Sequence, residues 1–148
     1  MKVAIGSDHA GYPLKAQLQQ WLHDNGHEIV DVGTDSEDSC DYPVFGAAVG
    51  RAVAAGTVDT GVAVCGSGLG ICMAANKIPG VRGAVIRTAE DAELARRHND
   101  ANVACFGARI TAVAEAEHSL EVFLATAFDG GRHARRVDLL AELDGEGR

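Results

Sequence analysis

The chain of 148 residues carries 13 Lys and Arg against 21 Asp and Glu, a formal net charge of −8. This acidic balance argues against a protein whose partner is nucleic acid. Hydrophobic residues make up 47% and charged residues 23% of the sequence, which is typical of a globular protein and not of a disordered one.

Short β-branched runs alternate with longer amphipathic segments, the pattern of parallel strands joined by crossover helices. Predicted strands cover residues 3–6, 28–32, 61–65, 83–86 and 103–106. Predicted helices cover residues 13–25, 44–55, 69–76, 89–98, 113–127 and 133–143. We therefore predict a single α/β domain over residues 1–148, with a frayed tail at 144–148.

Membrane insertion and export both lack a signal in the sequence. No apolar run approaches the roughly 20 residues of a membrane span, and Met1 leads directly into a strand-like run instead of a signal peptide. The four cysteines, Cys40, Cys65, Cys72 and Cys105, form neither a C-x-x-C pair nor a dense disulfide framework, and Cys65 and Cys72 are too far apart for a zinc half-site. These features predict a cytoplasmic protein with reduced thiols, no structural zinc and no membrane partner.

Glycines form a cluster directly after the third predicted strand. The run Gly66-Ser67-Gly68-Leu69-Gly70 joins that strand to a helix, so its amides can converge on an anion at a helix N-terminus. Its spacing is G-x-G-x-G and not the G-x-G-x-x-G of dinucleotide-binding folds. The run predicts an oxyanion or phosphate cradle, and a plain tight turn is the alternative.

Cys65 ends the third strand immediately before this glycine run. The helix dipole and the clustered amides would stabilise a thiolate there, which makes Cys65 a candidate base or nucleophile. The alternative is a small buried apolar residue, the commonest role of a free cysteine. That second interpretation is favoured for Cys72, one turn further along.

Two histidines have polar neighbours close to strand ends. Asp8 and His9 follow the first strand, and His98 and Asn99 lie at the end of a predicted helix, shortly before the fifth strand. Ligands of parallel sheets collect beyond the carboxyl ends of the strands, and a carboxylate beside an imidazole suits proton transfer. Helix capping is the alternative for both pairs.

A local basic cluster follows the fifth helix of this acidic protein. Arg132 and Arg136 are four residues apart and share a helix face if the last helix begins early enough. Two guanidiniums on one face suit a phosphate dianion, and Arg109 after the fifth strand would be a third ligand. The cluster predicts a small phosphorylated metabolite as the partner, or else a solvated charged surface.

Six segments together resemble the ribose-5-phosphate isomerase B family, which includes galactose-6-phosphate and allose-6-phosphate isomerases. They are GSDHAG at 6–11, DYP at 41–43, CGSGLGI at 65–71, AANK at 74–77, RHNDAN at 97–102 and GGRH at 130–133. The resemblance implies a three-layer α/β/α sandwich around a five-stranded parallel, Rossmann-like sheet. It also implies a homodimer or a dimer of dimers with active sites shared between subunits, and neither a metal nor an organic cofactor.

The resemblance further implies a role for individual residues. Cys65 is the base that forms the enediol and Ser67 the hydroxyl near O1 and O2, while Asp8 and His98 serve ring opening and proton donation. Asn99 and the amides of Gly66, Gly68, Leu69 and Gly70 place the substrate, Tyr42 lines the pocket, and His9, Arg109, Arg132 and Arg136 hold the phosphate. One branch of the family has no cysteine at the Cys65 position and has a glutamate base at the position of Cys72, so Cys72 is kept as the alternative base.

The implied activity is the interconversion of ribose 5-phosphate and ribulose 5-phosphate in the pentose phosphate pathway. Two alternatives stay open because fold does not specify function. One is an isomerase of another four- to six-carbon sugar phosphate, and the other is a non-catalytic module that binds a sugar phosphate or a nucleotide.

Overall fold

The computed structural model describes residues 1–146 and contains five strands and six helices within them. The strands are β1 (Lys2–Ser7), β2 (Glu28–Asp31), β3 (Thr60–Cys65), β4 (Gly83–Val85) and β5 (Val103–Gly107). The helices are α1 (Tyr12–Asp24), α2 (Tyr42–Ala54), α3 (Leu69–Ala75), α4 (Ala89–Asn99), α5 (Val113–Ala125) and α6 (Arg132–Leu143). Every predicted element is present. Helix α2 begins earlier than predicted because Pro43 fits the first turn of a helix, where no backbone donor is needed.

The five strands form one parallel sheet in the order β2-β1-β3-β5-β4. Helices α1, α4 and α5 pack on one face, and α2 and α3 pack on the other. The central strands β1, β3 and β5 are buried on both faces, and β3 along its whole length, as expected of a sheet covered on both sides. The predicted three-layer α/β/α architecture is confirmed.

The direction in which the chain crosses the sheet differs after β1 and after β3. From β1 the chain passes outward to β2, and from β3 it passes in the other direction to β4 at the far edge. The connections after these two central strands therefore diverge, leaving a crevice beyond their carboxyl ends. Gly11 lies so close to the carbonyl of Val64 that a Cβ atom would collide with it, which brings the loop after β1 against the end of β3.

A lysine lies inside the protein at the start of α1. The side chain of Lys15 is 1% exposed, and its Nζ donates to Asp31 Oδ1 at 2.8 Å, to Asp31 Oδ2 at 2.9 Å and to the Thr34 carbonyl. Burial acts to raise the pKa of Asp31, but hydrogen bonds from Lys15, Gly33 N and Gln19 lower it below its ordinary value. This pair joins α1 to the loop that leads toward α2.

Helix α6 packs against α4 and differs from the other helices in its exposure. None of its residues from Arg132 to Leu143 is buried, and Leu139, Leu140 and Leu143 are each exposed by more than two fifths. After α6, the Asp144 carboxylate accepts a hydrogen bond from Gly80 N at 2.7 Å. Of the tail predicted to fray, residues 147–148 lie outside the described residues. Over residues 1–146, none of the helices combines the length and apolar character needed to cross a bilayer.

Candidate active site

A cleft of about 360 Å³ opens at the carboxyl ends of β1 and β3, within the usual size of small-molecule sites. It is lined by Asp8, His9, Ala10, Tyr42, Cys65, Gly66, Ser67, Gly70, Arg109 and Ile110. Eight of these were candidate site residues in the sequence. The crevice predicted from strand order and the segments chosen from motifs thus coincide.

Cys65 ends β3 at the base of this cleft and is 4% exposed. The amide of Gly68 donates a hydrogen bond to its Sγ at 3.2 Å. Gly68 has φ +78°, and a Cβ atom there would lie 3.0 Å from the backbone between Phe106 and Gly107, so glycine is required for this turn. The glycine loop therefore directs an amide at the thiol.

Two other glycines of the loop let large polar side chains lie directly over the backbone. A Cβ atom on Gly66 would be 2.9 Å from Arg109 Nη1, and one on Gly70 would be 2.7 Å from Tyr42 Cζ. Leu69 begins α3, and its amide donates to Ser67 Oγ at 3.2 Å. Gly66, Ser67 and Gly70 of the loop and the Arg109 side chain line the same cleft, so a hydroxyl and a guanidinium lie beside the glycine backbone, a combination that suits an anionic substrate.

Asp8 and His9, from the loop after β1, also line the cleft. The Asp8 carboxylate is almost buried and accepts a hydrogen bond from Gly11 N at 2.9 Å. His9 Nδ1 lies 3.2 Å from both the amide and the carbonyl of Cys40. Asp8 therefore holds the turn that leads into α1, a helix that has no side-chain cap of its own, while the imidazole of His9 contacts a separate loop.

Cys72 lies on the core side of α3 and does not line the cleft. A hydrogen bond with the Cys105 thiol, supported by one from Asn76 and opposed by burial, lowers the pKa of Cys72. The same contact with Cys72, together with burial, raises the pKa of Cys105 well above its ordinary value. No sequence signal predicts this pair, because Cys105 fits the pattern of an ordinary apolar strand residue.

The remaining candidate residues lie elsewhere in the chain. Helix α4 starts beyond the carboxyl end of β4 and returns toward the amino end of β5, so its 11 residues span roughly 16 Å. His98 and Asn99 in its last turn therefore lie near the amino ends of the strands, at the edge of the sheet opposite the carboxyl ends that carry Cys65. Helix α5 makes the same return after β5, which brings Arg132 and Arg136 of α6 to that edge as well. Within one chain, the structure does not bring this second group together with the cleft.

Sequence reasoning assigned no role to two residues beside His98. The rings of His98 and His133 are stacked with centroids 4.3 Å apart and planes 11° apart, and a ligand atom of Asp129 lies within 4.8 Å of both. The ring lone pairs lie in two nearly parallel planes and so do not converge on one point, and Asp129 is held by Arg97 at 3.1 Å. This arrangement fits an acid–base group better than a metal centre.

Comparison with known proteins places the chain in a family. The family described as Ribose/Galactose Isomerase matches residues 3–140. Ribose-5-phosphate isomerase B of Escherichia coli is 40% identical over 143 residues, covering 97% of this chain and 96% of the relative. The Mycolicibacterium paratuberculosis protein of the same name is 42% identical, covering 97% of this chain and 92% of the relative.

Solved structures agree with the sequence relatives. Ribose-5-phosphate isomerase B of Clostridium thermocellum is 44% identical with a TM-score of 0.96, and the match covers 97% of each chain. The Mycoplasma genitalium enzyme with bound ribulose-5-phosphate is 37% identical with a TM-score of 0.93, covering 98% of this chain and 97% of the other. The resemblance found in the motifs is confirmed, and the chain belongs to the ribose/galactose isomerase family.

Proposed function

We propose that this protein is an aldose–ketose isomerase that interconverts ribose 5-phosphate and ribulose 5-phosphate, acting as one domain over residues 1–148. The observation that carries the proposal is the Cys65 thiol, which lies at the base of a cleft that also holds Ser67, Asp8 and Arg109. A pure binding module has use for the arginine but not for a thiol beneath a loop of amides. Relatives named ribose-5-phosphate isomerase B support the choice of a pentose phosphate.

The reaction moves one proton between neighbouring carbons through a cis-enediolate. Cys65, as the thiolate, takes the proton from C2 of the open-chain aldose and returns it to C1. Ser67 Oγ passes a proton between O2 and O1. The amides of the loop from Gly66 to Gly70 stabilise the negative charge that develops on the sugar oxygen, as in an oxyanion hole.

Phosphate binding divides between the two groups of residues. Arg109 and His9 line the cleft, while Arg132 and Arg136 lie on the first turns of α6 at the other edge of the sheet. Guanidiniums bind phosphate oxygens with paired hydrogen bonds. Under this proposal, all four side chains hold the phosphate of one substrate.

A homodimer unites the two groups. In a two-fold dimer, His98, Asn99, Arg132 and Arg136 of one subunit complete the cleft of the other, giving two equivalent sites. Support comes from exposed apolar residues beside the cleft, since Val44 and Met73 are 63% and 65% exposed, which a partner would cover. A dimer of dimers retains the same shared sites. A cytoplasmic location and small sugar phosphates as the partners, without nucleic acid, complete the proposal.

A substrate panel tests the activity. After exhaustive chelation, aldose and ketose phosphates of four to six carbons are incubated in deuterated water, and both product and deuterium at the exchanging carbon are measured. Fastest turnover of ribose 5-phosphate and ribulose 5-phosphate is expected. Faster turnover of a hexose or tetrose phosphate would reassign the substrate. Binding without any exchange would leave a binding module, and activity restored by a divalent ion would contradict the metal-free mechanism.

Subunit complementation tests the shared site. Inactive Cys65→Ala and His98→Asn chains are unfolded together and refolded as a mixture. Random pairing makes half the dimers heterodimers, each with one intact site of two, so about a quarter of wild-type activity should return. No recovery, once native mass spectrometry has established that heterodimers form, would contradict a site shared between subunits.

A further inference from the structure

His98, Asp129 and His133, here called the edge group, come together from three segments of the chain. His98 is in the last turn of α4, Asp129 is in the connection after α5, and His133 is in the first turn of α6. One ligand atom from each lies within 4.8 Å of the others. A carboxylate is thus placed beside two stacked imidazoles.

Asp129 is a fixed anion in this group. Arg97 Nε donates to its two oxygens at 3.2 and 3.1 Å, and the Asp129 amide donates to the Arg97 carbonyl at 3.0 Å. The hydrogen bonds from Arg97 lower the pKa of the Asp129 carboxyl below its ordinary value, and the charges of His98 and His133 act in the same direction. Arg97 therefore holds the carboxylate, which is itself exposed, beside the two imidazoles.

The end of α4 is fixed as well. Asp100 caps the helix with φ +45°, and its carboxylate accepts hydrogen bonds from Arg82 Nη2 and Arg96 Nη1, both at 2.9 Å. These contacts hold the turn that follows His98. Motion of the imidazole is consequently limited to its own side-chain torsions, with the ring of His133 stacked on one face of it and the Asp129 carboxylate within 4.8 Å.

His133 is suited to be the neutral partner of the stacked pair. Desolvation lowers its pKa, and the charges of His98, Arg132 and Arg136 lower it further, against the opposing effect of Asp129. Two adjacent imidazoles are not readily protonated at the same time, because their positive charges repel each other. With His133 neutral, the charge of Asp129 is available to balance a proton on His98.

We propose that Asp129 is a positioning residue for opening of the sugar ring, acting through His98. Its carboxylate and the stacked ring of His133 fix the orientation of the His98 imidazole and offset the charge that His98 acquires on taking a proton. A carboxylate that orients an imidazole and stabilises its protonated form is a recurrent arrangement in catalysis. The inference rests on the proposed function, in which His98 serves ring opening.

The chemistry of the two sugars separates this role from the isomerisation itself. Ribose 5-phosphate is a furanose, and opening breaks the bond between C1 and O4 while a proton leaves O1 and a proton is added to O4, so His98 ends the step unchanged. Ribulose 5-phosphate is open-chain, because its O5 is esterified and cannot close a five-membered ring. Turnover of ribulose 5-phosphate can release open-chain ribose 5-phosphate, which closes in solution without help from His98.

The test compares Asp129→Asn with Glu93→Gln in both directions of the reaction. Both carboxylates bind Arg97, Glu93 at 3.1 Å, but only Asp129 belongs to the edge group. Asp129→Asn is expected to slow initial turnover of ribose 5-phosphate by about 10- to 100-fold, the range for a misplaced catalytic group. Its turnover of ribulose 5-phosphate should fall by less than about 3-fold, and Glu93→Gln should match wild type in both directions.

Equal losses in the two directions, or no loss in either, would overturn the proposal. If Asp129→Asn does not fold, Arg97→Gln releases the carboxylate without removing it and should produce a smaller loss with the same preference for ribose 5-phosphate. An equal loss in the two directions for that variant would also overturn it. Failure of the proposed function is distinguishable, because wild-type protein would then interconvert neither sugar.

Discussion

Replacement of Cys65 should separate the proposed base from the other thiols of the core. Cys65→Ser retains the size of the side chain and an acceptor for the Gly68 amide, which now lies 3.2 Å from Sγ. A serine hydroxyl stays protonated near neutral pH and cannot take the proton from C2. Loss of a positioned base lowers turnover by about 10² to 10⁴, equivalent to roughly 2.7 to 5.5 kcal/mol on the barrier.

Cys72→Ser is the matched control. Its Sγ is contacted by Asn76 Nδ2 at 3.5 Å and by the Cys105 thiol, and it is 6% exposed on the core side of α3. The lowering of the Cys72 pKa is caused by its core contact with Cys105, and further by Asn76, and not by the cleft. We therefore expect its replacement to change turnover by less than about 3-fold, or roughly 0.7 kcal/mol, while stability falls by about 1 kcal/mol.

The assay measures kcat for ribulose 5-phosphate formation and, separately, deuterium incorporation at C1 of the ribulose 5-phosphate formed in deuterated water during one turnover. Both quantities should collapse together in Cys65→Ser and stay near wild type in Cys72→Ser. Cys65→Ala should repeat the loss, which excludes an effect peculiar to the serine hydroxyl. A larger loss in the Cys72 variant than in the Cys65 variants would move the base to Cys72 and refute the argument from the Gly68 amide.

Three further predictions concern the charge pair, the basic cluster and a close backbone contact. Asp31→Asn should destabilise the fold by about 1 to 3 kcal/mol in denaturant unfolding, because it leaves the 1%-exposed ammonium of Lys15 without its counter-charge, although solvent screens the pair at the 42%-exposed Asp31; Lys15→Met should cost less, and the reverse order would contradict this. Because the pKa of Asp31 is lowered in the folded state, the stabilisation is present above its unfolded pKa of about 3.9 and is lost as pH falls through the folded value, so the gap between wild type and Asp31→Asn should close in acid. Arg132→Ala and Arg136→Ala should each weaken inhibition by inorganic phosphate by about 1.5 to 3 kcal/mol, and unchanged inhibition in both would make the cluster a solvated surface. Gly11→Ala should lower stability by about 1 to 3 kcal/mol, measured by thermal unfolding, since its Cβ would collide with a backbone carbonyl of β3, and an unchanged melting temperature would refute this close approach.

Local pattern accounts for much of what was predicted. Apolar runs with turn residues at each end mark the five strands, and helical spacing of apolar residues marks the helices, because burial on both faces of a parallel sheet imposes those periods. The glycine loop could also be predicted, since three glycines between a strand and a helix cost conformational entropy on folding, which is unfavourable unless the backbone must turn sharply. The structure has such a turn, with a positive φ at Gly68 and a hydrogen bond from its amide to Cys65 Sγ.

Lys15 and Cys105 make contacts that the local sequence pattern does not predict. A lysine within an amphipathic helix is read as solvated, and its burial depends on Asp31 and Thr34, which another part of the chain delivers. Cys105 is an apolar strand residue in the sequence, and its thiol contact exists because α3 places Cys72 over β5. Both depend on distances between elements, which no local period encodes.

By itself the sequence determined the succession of strands and helices along the chain, the glycine loop and the chemistry of the candidate site residues. These follow from backbone preferences and side-chain type within a few positions. Only the tertiary structure decided where those residues meet. Strand order and the return of α4 across the sheet put Cys65 at one edge and His98 at the other, and the turn after α5 brought Asp129 to His98. The physical reason is that helix length and crossover direction set separations of roughly 16 Å, and these exceed the reach of any side chain.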